Sequence, residues 1–255
     1  MKIKLLGQSG CLISFNDKRI IIDPYLSNSA MKLINSSLKR LRPTNFNYNQ
    51  AKKIDWVFIT HDHIDHCDPW TLGRFLKVNP NIRYMGPVTV VKILKSIGIK
   101  DKYIYLCKEK WFNISKEFKV LSIPACHPKI HRDKNNNLRC VGYLIKNRFN
   151  NSIIYHSGDT SVHSDIIKKL KKISNIKVAL LPVNEKNFYK DRDNIIGNMS
   201  IREAFYLCKE LKIPNLIPVH WDMFEQNSVH IEEIKLIYRK LKFRFKLLTS
   251  RINEI

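Results

Sequence analysis

Residues 61–66 read His-Asp-His-Ile-Asp-His, and this cluster constrains the chain more than any other feature. Three imidazoles and the Asp65 carboxylate within six residues are costly to hold together unless a cation lies among them. Neutral ring nitrogens with a carboxylate suit zinc and also accept manganese or iron. The preceding segment, Asp55 to Thr60, reads as a short buried strand. The following one reads as a helix with Asp68 as N-cap and Pro69 at the first helical position. The cluster therefore occupies a strand-to-helix turn, where side chains can converge. An ordinary solvated loop would draw instead on Gly, Pro, Asn and Ser.

A metal site of this kind needs ligands from elsewhere in the chain. Residues 121–127 form a strand-like run ending in His127. Residues 152–159 form a second run, followed by a glycine turn that presents Asp159. Residues 216–220 form a third, ending in His220. Each candidate stands at the C-terminal end of an apolar run, where open α/β sheets place their sites. Two metal positions can be built from this set. His61, His63 and His127 make the first, Asp65, His66 and His220 the second, and Asp159 bridges them.

Taken in order, T-H-x-H-x-D-H, a distant His, S-G-D-T and P-x-H resemble the metallo-β-lactamase superfamily over nearly the whole chain. Within it the sequence is similar to the L-ascorbate-6-phosphate lactonase-like branch. That closer likeness is carried by Gly7-Gln-Ser-Gly10, by Ile20-Ile-Ile-Asp23-Pro-Tyr, by His61 to His66, and by Ile196-Gly-Asn-Met-Ser200 leading to Ile217 to Phe224. The resemblance implies a four-layered αββα sandwich formed by one domain over residues 1–255. It implies a hydrolase with two divalent ions, zinc or manganese with iron admitted. Such an ion pair shares a hydroxide that attacks a carbonyl or phosphoryl centre. Asp65 then serves as ligand and as the group that orients the nucleophile or carries its proton. A sugar-phosphate or acidic sugar lactone is the expected substrate. The alternative is a phosphodiester, because Cys126-His-Pro and His220-Trp-Asp-Met-Phe are also similar to N-acylphosphatidylethanolamine-hydrolysing phospholipase D. Ribonucleases of the superfamily rank third, since no RNA-grasping arm is visible.

Further residues take supporting roles. Asp23 and Asp222, short carboxylates near strand ends, are candidates to fix imidazole tautomers. His156, three residues before Asp159, is a candidate for the same support or for the substrate wall. The long polar loop from Glu185 to Asn198 follows a strand and should rim the pocket. It offers Tyr189, Arg192 and Asn198 as substrate contacts, and the next helix offers Arg202. No apolar groove for a lipid tail is evident. Cys67 and Cys126 adjoin proposed ligands and are the two thiols that can reach a metal.

The formal net charge is +23 over 255 residues. The lysines are scattered at helix-surface spacing, and the chain is also rich in Ile and Asn, so the charge reads as codon composition. It favours small anionic substrates and non-specific attraction rather than a defined nucleic-acid partner. No run is long enough to span a bilayer and no leader is visible, so a cytoplasmic protein without a membrane partner is expected. A homo-oligomer is compatible with the sequence.

Strand and helix signals alternate as in a layered α/β fold. Three strands occupy residues 2–23, and a polar insert with a short helix over residues 30–41 follows. Helices are expected over residues 88–97, 166–173, 201–211 and 231–242, with a final strand over residues 243–248.

Overall fold

The computed structural model describes residues 1–44 and 46–254. Two seven-stranded sheets pack face to face. The first contains β1 (Lys2–Gly7), β2 (Gly10–Phe15), β3 (Lys18–Ile22), β4 (Trp56–Phe58), β5 (Arg83–Gly86) and β6 (Ile104–Leu106), with the C-terminal β14 (Ile252–Glu254) beside β1. The second contains β7 (Phe112–Asn113), β8 (Phe118–Pro124), β9 (Val141–Asn147), β10 (Ile153–His156), β11 (Ile176–Pro182), β12 (Asn215–Val219) and β13 (Lys246–Leu247). Helices α1 (Ser29–Leu33), α2 (Pro69–Val78) and α3 (Val88–Ser96) follow strands of the first sheet. Helices α4 (Ser164–Lys171), α5 (Phe188–Arg192), α6 (Ile201–Glu210) and α7 (Ile231–Leu241) follow strands of the second.

The central strands carry consecutive apolar residues, Ile20 to Ile22 in β3 and Val178 to Leu181 in β11, because both faces of each sheet are covered. In β3, Ile20 and Ile22 enter the core between the sheets, while Ile21 packs outward with Leu72, Phe75 and Val90 from α2 and α3. In β11, Val178 and Leu180 face inward, while Ala179 and Leu181 meet Ile166, Phe205 and Ile234 from α4, α6 and α7. The period-two alternation is present, but it separates two cores rather than core from solvent. The result is the four-layered αββα arrangement expected from the sequence.

Helix starts follow local chemistry. The Asp68 carboxylate accepts from the Trp70 N–H at 3.0 Å, and Pro69 opens α2. Ser200 and Glu203 form a reciprocal capping box at α6. The insert departs from expectation. Its helix stops at Leu33 rather than reaching residue 41, because the Asn35 side chain accepts from the Ser37 N–H at 2.9 Å and turns the chain. The loop after β11 holds the five-residue α5, started by Asn187, which accepts from the Lys190 N–H. The final expected strand contracts to Lys246–Leu247. The three residues of β14 pair antiparallel with β1 and were not anticipated. Among the described residues, no helix is long and apolar enough to cross a membrane.

Candidate metal centre

The C-terminal ends of four strands converge on one point. The turn after β4 carries His61, His63, Asp65 and His66; β8 leads to His127, β10 to Asp159 and β12 to His220. Gly158 makes the third approach possible. It adopts a left-handed φ of 61°, and a Cβ there would lie 2.8 Å from both Thr60 Cβ and the Val141 carbonyl oxygen.

Three overlapping triads result: His61, His63 and His127; His61, His66 and Asp159; Asp65, His66 and His220. The ligand atoms within each lie within 4.8 Å of one another. Asp159 spans them. Its Oδ1 is 3.3 Å from His66 Nε2, and its Oδ2 is 3.1 Å from His220 Nε2 and 3.8 Å from His127 Nε2. The seven residues singled out in the sequence thus meet in space. His63 alone among them is exposed.

Supporting hydrogen bonds fix which ring nitrogen faces the centre. His66 Nδ1 lies 2.7 Å from Asp23 Oδ2, so it carries the proton and leaves Nε2 toward Asp159. Thr60 Oγ1 donates to Asp23 at 2.6 Å and therefore accepts from His61 Nδ1 at 3.0 Å. Asp23 is fully buried and also accepts from the Thr60 N–H at 2.8 Å, so one carboxylate organises two imidazoles. His156 donates from Nε2 to the Ser9 carbonyl at 2.8 Å and accepts at Nδ1 from the Gly158 N–H at 3.1 Å. It supports the turn that carries Asp159 and does not line the cavity. The Asp222 carboxylate accepts from the Gln8 N–H at 3.3 Å and faces Arg42 at 3.9 Å. Expected to orient an imidazole, it instead holds the β1–β2 turn. Thr60 and Gln8 act here without having been anticipated. The hydroxyl immediately before the cluster was the available signal for Thr60, whereas Gln8 offered none beyond its place in Gly7-Gln-Ser-Gly10.

The donor set fits a divalent cation. His61 Nε2 and His66 Nε2 are buried without a hydrogen-bond partner, and each has its other nitrogen engaged. His66 Nε2 lies 3.3 Å from Asp159 Oδ1, so either a proton or a cation stands between them. The electrostatics agree. Burial, reinforced by His66, drives His61 well below the ordinary imidazole range, and burial pushes His127 down to about 4 against the pull of Asp159. Both are therefore neutral ligands at neutral pH. Burial also opposes charge on His66 and His220, but Asp159 and Asp65 outweigh it. His66 rises well above the ordinary range and His220 to about 9. Burial would raise Asp65 and Asp159 too, yet the neighbouring imidazoles hold both far below the usual carboxylate range. The second triad is thus a strong acceptor of positive charge. Cys67 and Cys126 stay outside the triads. Burial raises both thiols, and Cys126 Sγ donates to the Pro128 carbonyl at 3.3 Å.

A cavity of about 460 Å³ opens above the cluster. His63, Asp65, His127, Asp159 and His220 form its floor. Ala30, Ile34, Leu38, Ile64, Ile195, Ile196 and Phe224 supply its apolar wall, and Asn194, Gln226 and Asn227 its polar edge. The wall corrects the expectation that no apolar groove exists. It combines the insert around α1 with residues after α5 and β12, segments too far apart in sequence to show a pattern. None of Tyr189, Arg192, Asn198 and Arg202 lines it. Tyr189 is exposed, and Arg192 pairs with the adjacent Asp193 at 2.9 Å. Asn198 is 1% exposed and donates to Asn184 Oδ1 at 3.0 Å, while Arg202 is exposed on the first turn of α6.

Two sheets inside four layers, with this His/Asp cluster at the strand ends, define a metal-dependent hydrolase architecture. The chain belongs to the metallo-β-lactamase superfamily: the profile of the β-lactamase superfamily domain matches residues 18–221. It is 26% identical over 251 residues to a UPF0173 metal-dependent hydrolase of Caldivirga maquilingensis, covering 94% of this chain and 90% of that protein. It is 25% identical over 234 residues to N-acyl-phosphatidylethanolamine-hydrolyzing phospholipase D 1 of Caenorhabditis elegans, covering 88% of this chain and 64% of the worm protein. In fold it is similar to Igni18, a metallo hydrolase from Ignicoccus hospitalis, with a TM-score of 0.73 at 18% identity, covering 100% of this chain and 98% of that one.

Proposed function

We propose that this protein is a two-metal hydrolase that cleaves an ester or lactone bearing an apolar substituent. The observation that carries this reading is the apolar wall beside the triads, which among the described residues includes no Lys or Arg. A phosphorylated sugar would want a cationic grip there. An alkyl or aryl group gains instead by leaving water, at about 0.8 kcal/mol per methylene. The lactonase likeness read from the sequence supports an acyl centre, and the wall shifts the preferred substituent from sugar to hydrocarbon.

Divalent ions held by the triads supply Lewis acidity and an activated water at neutral pH. His61, His63 and His127 would hold one ion, Asp65, His66 and His220 the other, with Asp159 shared. Asp65 lies at the cavity floor, where it would orient the attacking water. Asp23 and Thr60 keep the His66 and His61 rings from turning. Ile34, Ile196 and Phe224 exclude water and seat the substituent. A phosphodiester with an apolar arm is the second reading, favoured by the similarity to phospholipases D.

The test is a panel of lactones and esters of increasing alkyl length, a sugar-phosphate lactone and bis-p-nitrophenyl phosphate. The expected result is a kcat/KM that rises up to about fourfold per added methylene until the cavity is filled. Faster cleavage of the phosphodiester would favour the second reading. A preference for the sugar phosphate would overturn the role given to the wall.

A further inference from the structure

Asn184 joins two walls of the cavity without lining it. It follows β11 and is fully buried. One wall belongs to the loop that starts at Glu185 and contributes Asn194, Ile195 and Ile196. The other is the segment after β12, which contributes Phe224, Gln226 and Asn227. Asn184 Nδ2 donates to Asn227 Oδ1 at 2.9 Å, and Asn184 Oδ1 accepts from Asn198 Nδ2 at 3.0 Å. A chain of side-chain amides thus runs from the buried Asn198 to the half-buried Asn227 at the cavity edge. Turning every amide over exchanges donors for acceptors and keeps both bonds, so the link does not depend on the amide assignment.

The loop closes on the same residue. The Lys186 N–H donates to the Asn198 carbonyl at 3.1 Å, and a Cβ at Gly197 would stand 2.4 Å from the Glu185 carbonyl oxygen. From α5 the buried Lys190 ammonium reaches back to the Asn184 and Glu185 carbonyls. The Lys190 carbonyl accepts from the Ile195 N–H at 2.8 Å, on the wall itself. Across the cavity, the Asn227 N–H donates to the Phe224 carbonyl at 3.0 Å and closes a single turn. A buried amide that loses its partner keeps its desolvation cost, so this chain of amides holds or opens as a unit.

We propose that Asn184 is a positioning residue that ties the rim loop to the segment after β12 and so sets the width of the cavity, selecting substrates by the bulk of their apolar substituent. The selection rests on the ester reading above, whereas the tie stands on its own contacts. With the tie made, Ile196 and Phe224 keep a fixed separation that admits a linear chain and resists a branched one. Without it, either wall shifts alone.

The test compares wild type with Asn184→Ala. Asn227→Ala cuts the same bond from its half-buried end and serves should the first variant fold poorly. Hydrogen exchange followed by mass spectrometry reads the tie without any substrate. Exchange is expected to quicken about fivefold, the worth of one hydrogen bond, in residues 185–198 and in residues 224–229 together, with β9 and β10 unchanged. Steady-state kinetics on a linear and a branched ester of equal carbon number read the selection. The kcat/KM ratio of linear to branched is expected to fall about fivefold in either variant. Faster exchange in one segment alone, or in neither, would overturn the tie. Faster exchange throughout, β9 and β10 included, marks a merely structural role and would overturn it too. Coupled exchange with an unchanged ester ratio would overturn the selection. Coupled exchange in a wild-type protein that hydrolyses no ester would support the tie and overturn the ester reading.

Discussion

The floor of the cavity and its mouth are held by different means. On the floor, His66 is oriented by Asp23 at 2.7 Å, His61 by Thr60 at 3.0 Å, and the Asp159 turn by His156 through Gly158. Those supports lie under strand ends between two packed sheets. At the mouth, Ile34 follows the five-residue α1, whose start has no side-chain cap, and is 67% exposed. Ile195 and Ile196 follow the equally short α5. A group with several fixed partners cannot move without leaving a buried polar atom unpaired. A residue at the mouth meets solvent and can change at little cost to stability. The chemistry is therefore built into the rigid part and the choice of substrate into the adaptable part.

The sharpest test of that division is Asp159→Ala. The carboxylate faces His66, His127 and His220, so its loss removes the group that the proposed two-metal reading shares between both positions. Elemental analysis of protein purified without chelator should show close to two divalent ions in wild type and clearly fewer in the variant. Hydrolysis should fall by about 10²–10⁴-fold, the usual scale for a lost group at the reacting centre. Full metal occupancy in Asp159→Ala would break the bridging assignment.

The same division explains what could be read in advance. His61, His63, Asp65 and His66 are adjacent in sequence, so their convergence needed only a turn. His127, Asp159 and His220 each end an apolar run, and sheets covered on both faces put such runs at their centre. The mouth left no comparable trace. Helices α1 and α5 span five residues each, too short for a helical apolar period to emerge. Loop length alone pointed to residues 185–198, and only its last turns, Asn194 to Ile196, reach the cavity. Gln8 escaped because its role depends on a left-handed turn and on a contact 212 residues away.

A smaller effect is expected from Ile34→Ser, which probes the mouth alone. The side chain is largely exposed, so the fold should change by no more than about 0.5 kcal/mol. Loss of apolar contact should raise KM for alkyl esters about three- to tenfold. Turnover should stay constant, because the contact is made equally in the ground and transition states. Parallel assays with a short polar ester should show no change. A fall in kcat for both substrates would mean that the mouth shapes the reacting centre, and the contrast with the floor would fail.

The smallest effect belongs to Arg202→Ala. The sequence offered this arginine as a substrate contact because it follows the rim loop. The structure places it on the first turn of α6, exposed and absent from the cavity lining. A cation there meets the positive end of the helix dipole, which costs about 0.3 kcal/mol at an exposed position. Alanine is also the better helix former. The variant should therefore be as stable as wild type or slightly more so. Its kcat and KM on alkyl esters should both stay within about twofold of wild type, as measured by steady-state kinetics beside a thermal melt. A tenfold rise in KM for an anionic substrate, with the melt unchanged, would bring Arg202 back to the site. It would also mean that α6, rather than the insert around α1, selects the substrate.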